Sequence, residues 1–170
     1  MKSASLLNQC ISGLQQNLRT RSDLKNELHL GHTADQQNNL NPLRQAGGSA
    51  QTLHRLLQPN QAGQGSAEQI LARGFRDLQA HQVALLAGSR AMVHSTLEHF
   101  TPSHLALHFE SKRGKLLVAT SGSRWRAFQR YHRAVSLDGD FAERLLARDF
   151  AQAYEEQVRL IATLHSEHEG

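Results

Sequence analysis

Residues 66–102 read SAEQILARGFRDLQAHQVALLAGSRAMVHSTLEHFTP, from Ser66 to Pro102. The opening Ser66-Ala67-Glu68-Gln69 has the form of a capping box, in which the serine oxygen and the Gln69 side chain satisfy amide donors that a first helical turn leaves orphaned. Leu71, Phe75, Leu78, Leu85, Leu86, Met92, Val93, Leu97 and Phe100 then recur at helical steps, which predicts a buried stripe running to Thr101-Pro102, where the ring of Pro102 breaks the helix. Gly74 and Gly88 each cost about 1 kcal/mol of helix propensity relative to alanine. They admit close helix packing or a bend.

The same period extends in both directions. Leu7, Ile11, Leu14 and Leu18, with Leu24 and Leu28 continuing the apolar face after a shift, predict an amphipathic helix over about residues 5–30, ended by Gly31. Cys10 falls on that stripe, so a buried, inert thiol is expected. Residues 32–48 are polar and Asn- and Gly-rich and read as a loop, and a short helix over 50–57 stops before Pro59. Downstream, residues 103–109 read as a short helix. Residues 110–123 read as a loop or a helical start, because Leu116 to Thr120 would be a lone strand with no sheet to satisfy its backbone. Trp125, Phe128, Tyr131 and Val135 recur at three- and four-residue steps, and Asp140 with Glu143 caps a last long helix that buries Phe141, Leu145, Leu146, Phe150, Tyr154, Val158 and Ile161. The expected fold is all-α: a single-domain helical bundle over 1–170, with two or three long amphipathic helices and short connecting helices.

Composition agrees with that fold. A chain of 170 residues is one domain by size, and a hydrophobic fraction of 39% with only 5% aromatics suits a helical interior. The lone Cys10 forms no internal disulfide, which fits a reducing compartment. No apolar run reaches the length of a transmembrane helix, and the N-terminus has no secretory h-region. A cytoplasmic chain is expected.

Three groupings of chemically capable side chains were weighed against plainer roles. Eleven histidines include His104 and His108, His29 and His32, and His165 and His168 at helical spacings. Two imidazoles on one face begin a zinc site, yet no third ligand stands at a recognisable spacing, so solvated or capping histidines are expected. His81 reads as a packed or hydrogen-bonded helix histidine. The second grouping is basic and aromatic: Lys112, Arg113 and Lys115, then Arg124 to Arg133. It permits nucleic-acid binding, and the net charge of +4 agrees. Helical geometry instead sends Trp125, Phe128 and Tyr131 to the core and leaves Arg126, Arg130 and Arg133 as an exposed stripe for an acidic protein surface or solvent. The carboxylates Glu143, Asp149, Glu155 and Glu156 are interspersed with Arg144, Arg148 and Arg159, where salt bridges one helical turn apart are the common use. No phosphate loop, nucleophile elbow or Cys-x-x-Cys pair is present. No catalytic, cofactor-binding or metal-ligating residue is assigned, and no cofactor is expected.

Three phrases remain that none of this absorbs: Leu24-Lys25-Asn26-Glu27-Leu28 followed by Asn38-Asn39-Leu40-Asn41-Pro42-Leu43; Leu78-Gln79-Ala80-His81-Gln82; and Asp149-Phe150-Ala151-Gln152-Ala153-Tyr154-Glu155-Glu156-Gln157. In this order the chain resembles, over about 19–157, the C-terminal helical region of type VI secretion system FHA-domain proteins. The alternating short strands of an FHA β-sandwich are missing, so phosphopeptide reading is not carried over. The chain reads as a short stand-alone member or as the helical portion alone. The resemblance implies a non-enzymatic structural or adaptor component of a bacterial secretion machine, acting in assembly or regulation through protein–protein contact. Its partners would be other secretion components, baseplate or membrane-complex proteins, with recruitment to the inner-membrane-anchored apparatus, no specific nucleic acid, and a homo-oligomer left open. The resemblance also suggests partner contacts at Lys25, Asn26, Glu27, Asn38, Asn39, Asn41 and Pro42, and the arginine stripe Arg126, Arg130 and Arg133 read from helical geometry is the next candidate surface. A basic helical nucleic-acid-binding domain is the alternative.

Overall fold

A capping box opens the longest helix as the sequence predicts: the Ser66 amide donates to Gln69 Oε1 at 2.9 Å, and the Gln69 amide donates to Ser66 Oγ at 3.2 Å. The computed structural model describes residues 2–28, 30, 41–45, 47–58, 65–113 and 120–166. In chain order these form α1 (Lys2–Glu27), α2 (Ser49–Leu57), α3 (Ala67–His99), α4 (Pro102–Arg113), α5 (Ser121–Leu137), α6 (Gly139–Leu145), a π-helical turn (Leu146–Phe150) and α7 (Ala151–Ser166). No strand occurs among the described residues, so the all-α expectation holds. The expected loop tip at Asn38 and Asn39, the strand question at 116–119, and His29, His32 and His168 lie outside the described residues.

The chain divides into two compact units, residues 1–85 with 155–170, and residues 86–154. Ile11, Leu14, Leu18, Leu43 and Leu56 form the core of the first, with Leu53, Ala67, Ile70, Leu71 and Leu78 packed against it. The buried seam of α1 runs Ile11, Leu14, Gln15, Leu18, Arg21, Lys25. At about 100° per residue, Leu24 stands on the far side of the helix from Ile11, and Cys10 and Leu28 sit about a quarter-turn off it. Leu24 and Cys10 are accordingly exposed, which corrects the expected continuation of the apolar face and the expected buried thiol. Leu7 is exposed as well. Two helical elements and a turn meet at Gly74, where an added Cβ would lie 3.1 Å from Leu43 Cδ1, 3.6 Å from Leu14 Cδ2 and 3.7 Å from Leu18 Cδ1. Close approach, not a bend, is the use of this glycine.

In the second unit Gly88 serves the same purpose against Phe150. Ser95 Oγ donates to Asp149 Oδ2 at 2.5 Å, and Phe150 stacks on Tyr154 with centroids 6.1 Å apart. The predicted last helix is interrupted by the π turn at 146–150, a local widening that re-phases the side chains on either side of it. Its cap also differs. Asp138 Oδ1, not Asp140, accepts the amide of Asp140 at 3.1 Å, while Asp138 Oδ2 holds Arg144 at 3.1 Å. The buried face of α3 is narrower than its apolar content suggests: Gly74, His81, Ala84 and Gly88 are buried, while Phe75, Leu86, Val93 and Leu97 are exposed.

Candidate functional site

The first candidate place is the end of α1 with the turn at 41–45 and the middle of α3. Lys25, Asn26 and Glu27 do end α1, as expected, but they point different ways. Lys25 is 6% exposed, whereas Asn26 and Glu27 are exposed. Asn41, Pro42 and Leu43 are buried, and the Asn41 side chain accepts the Leu43 amide at 2.9 Å, a local turn in which an asparagine shapes its own backbone. Beside this turn Arg44 pairs with Asp77 of α3 at 2.9 Å. The amide of Leu30 donates to the carbonyl of Lys25 at 3.0 Å, closing the helix end.

Below that end lies a buried polar group of unusual sign. Gln15 Nε2 donates to Thr52 Oγ1 at 3.0 Å with both side chains buried. Arg21, Lys25 and His81 are buried too, and Arg21 Nε has no hydrogen-bond partner among the described residues. Burial above all, and then the charges of Arg21 and Lys25, hold the His81 imidazole at about 4, so it is neutral at physiological pH. The packed helix histidine expected at this position is therefore what the structure contains. Arg21 was missed by the sequence reading. Its signal was its place on the seam, three residues after Leu18 and four before Lys25.

The second place is α5. Its hydroxyl cap is Thr120, whose Oγ1 accepts the Ser123 amide at 3.3 Å. Arg126, Arg130 and Arg133 are exposed as expected. The rings are not where the helical argument puts them: α5 has no buried residue, and Trp125 is 59% exposed. Trp125 stands about 120° around the helix from Tyr131, which the three-residue steps had placed on the same face. Tyr131, half-buried, meets rings of other helices, with His108 at 4.7 Å, His99 at 5.8 Å and Phe109 at 5.9 Å between centroids. Trp125 and Phe128 stack on each other at 5.5 Å, inclined by 25°. Arg126, Phe128, Gln129, Arg130, His132 and Arg133 line a hollow of about 410 Å³.

Behind this helix the histidines gather. His99, which sequence spacing did not single out, meets His104 at 4.8 Å between ring centroids and shares a hydrogen bond with the Tyr131 hydroxyl. Burial first, then His104, His108 and Arg144, lower the His99 pKa, and burial raises that of Tyr131. No group of three histidine, cysteine or carboxylate side chains among the described residues is arranged to hold a metal ion. The carboxylates are spent as salt-bridge and hydrogen-bond partners: Glu155 holds Arg159 at 3.4 Å one turn on, and Asp149 takes Ser95 and Arg148. No helix of the described residues is long and apolar enough to cross a membrane.

No curated protein and no solved structure matches the chain. A family model does, over residues 1–157, which reaches further towards the N-terminus than the quoted phrases and ends on the same Gln157. The chain belongs to the family of C-terminal domains of type VI secretion system FHA proteins.

Proposed function

We propose that this chain is a non-enzymatic, single-domain adaptor on the cytoplasmic side of the type VI secretion system, joining other components of the apparatus during its assembly or regulation. The observation that carries the reading is the family match over residues 1–157. Baseplate or membrane-complex proteins are the partners it would join, and through them it would be recruited to the inner membrane. Two surfaces support contact. Asn26 and Glu27 stand exposed at the end of α1, where Lys25 is buried, as are Asn41 and Pro42 of the turn at 41–45, and Arg126, Arg130 and Arg133 stand exposed on α5. Asn38 and Asn39 belong to the same proposal by their place in the chain.

The test is recovery of the tagged chain from cells that express the secretion cluster, with the bound proteins identified by mass spectrometry. Secretion components should be enriched, and the enrichment should fall when Asn26 and Glu27, or the three arginines, are replaced by alanine. If no secretion component is enriched by the folded wild-type chain, the adaptor reading fails. One observation favours a second reading. An exposed Trp125 among arginines is a platform on which nucleic-acid bases stack, so the basic nucleic-acid-binding alternative predicts recovery of nucleic acid in place of protein.

A further inference from the structure

The sequence of α5, SGSRWRAFQRYHRAVSL, contains four arginines and no acidic residue. Arg126, Arg130, Arg133 and Leu137 follow at steps of four, three and four, which confines them to a sector of about 60° on one face. Among the described residues none of these arginines pairs with a carboxylate, and their one polar contact there is Arg126 Nε to the Gly122 carbonyl at 3.3 Å. By contrast Arg144 and Arg159, in the helices that follow, each hold an acid. Leu137 is 81% exposed at the end of the row, while by the same geometry Trp125 stands about 80° beyond its edge and Phe128 on the far side of the helix.

We propose that this face docks an acidic, amphipathic helix of a partner protein, whose carboxylates take Arg126, Arg130 and Arg133 while its apolar side chains cover Leu137. The proposal rests on the adaptor reading and names the chemistry of its partner. Arginine presents a planar fork that matches a carboxylate at two points, and carboxylates at three- and four-residue steps on a facing helix share the spacing of the row. Phosphates would satisfy the arginines as well, but they leave Leu137 uncovered. Trp125 and Phe128 have already spent a ring face on each other, which leaves less for a base to stack on.

Fluorescence anisotropy with three labelled probes decides it: a synthetic helical peptide with glutamates at alternating three- and four-residue steps beside a leucine face, polyglutamate, and single-stranded oligothymidylate. The peptide should bind most tightly, lose affinity with rising salt, and weaken by at least about tenfold on Arg126→Ala with Arg130→Ala and Arg133→Ala, and again on Leu137→Ala. The three positions are exposed, so the variants should keep the wild-type circular dichroism. As a second arm, Arg126→Glu with Arg130→Glu and Arg133→Glu should exchange preference for a lysine-bearing version of the same peptide. Equal peptide binding by the triple alanine variant, or polyglutamate as tight as the peptide, overturns the proposal. Tighter oligothymidylate replaces it with a nucleic-acid surface. Peptide binding without recovery of secretion components from cells would leave this face standing and remove the adaptor reading, and the reverse pattern would do the opposite.

Discussion

Gly88 lies directly beneath the ring of Phe150: a Cβ at Gly88 would come within 2.7 Å of the ring atoms Cδ2 and Cε2. The ring is part of a buried face and stacks on Tyr154, so it has little room to yield. Gly88→Ala should therefore destabilise by about 1–3 kcal/mol, since overpacking exceeds the gain in helix propensity of about 1 kcal/mol. Gly74→Ala meets its nearest atom at 3.1 Å, the end of a leucine side chain, and should cost less. Urea denaturation of the two variants gives the order.

A second prediction concerns the buried Gln15–Thr52 hydrogen bond. Thr52→Val keeps the shape and removes the acceptor, leaving the Gln15 amide without its hydroxyl partner in the interior, at a cost of about 1–3 kcal/mol. Gln15→Met alone leaves a hydroxyl unpaired and should also destabilise. The double variant should recover part of the loss, because an apolar pair of similar shape needs no hydrogen bond. A double-mutant cycle on unfolding free energies measures the coupling.

Acid should weaken the first unit through His81. Its folded pKa of about 4 lies below the ordinary 6.5, so between those values the unfolded chain binds the proton that the folded chain refuses. This contribution to stability is fully present above about pH 6.5 and is lost as pH falls towards 4, with a loss of about 2 kcal/mol by pH 5. His99 shifts in the same direction and adds to the slope. The comparison is therefore between the wild type and His81→Gln, whose unfolding free energy should vary less between pH 7 and pH 5. Equal slopes would show that His81 is protonated in the folded chain.

The two ends of the Lys25-Asn26-Glu27 phrase should separate by experiment. Asn26→Ala and Glu27→Ala change exposed side chains and should leave the melting temperature within about 2 °C. Asn41→Ala removes the acceptor that shapes its turn, worth about 1 kcal/mol, and should lower the melting temperature by about 3 °C. Differential scanning calorimetry on purified variants checks both. A large drop for Asn26→Ala would make that side chain a structural one.

Much of the helical layout was legible in sequence because its signals are local. The Ser66 and Gln69 capping pair, the break at Pro102 and the helical period of Ile11, Leu14 and Leu18 each depend on residues within a turn or two. The same logic placed Asn26 and Glu27 outward. It failed at Leu24, Cys10 and Trp125, where an apolar side chain was assigned to the interior on spacing alone. Period identifies which residues share a face, and several faces of these helices carry apolar residues; it does not say which face another helix will cover.

The sequence by itself determined an all-helical chain, the capping box that opens α3 and the break at Pro102, and the family to which its ordered phrases belong. Those are properties of neighbouring residues and of residue order. Only the tertiary structure decided that Arg21, Lys25 and His81 share a buried site, that Gly74 and Gly88 are points of close contact, and that Tyr131 of α5 meets the rings of His99 and His108. Each of these depends on residues brought together from distant parts of the chain. Burial and charge at such a place are set by the neighbours that packing supplies, and spacing along one helix contains no record of them.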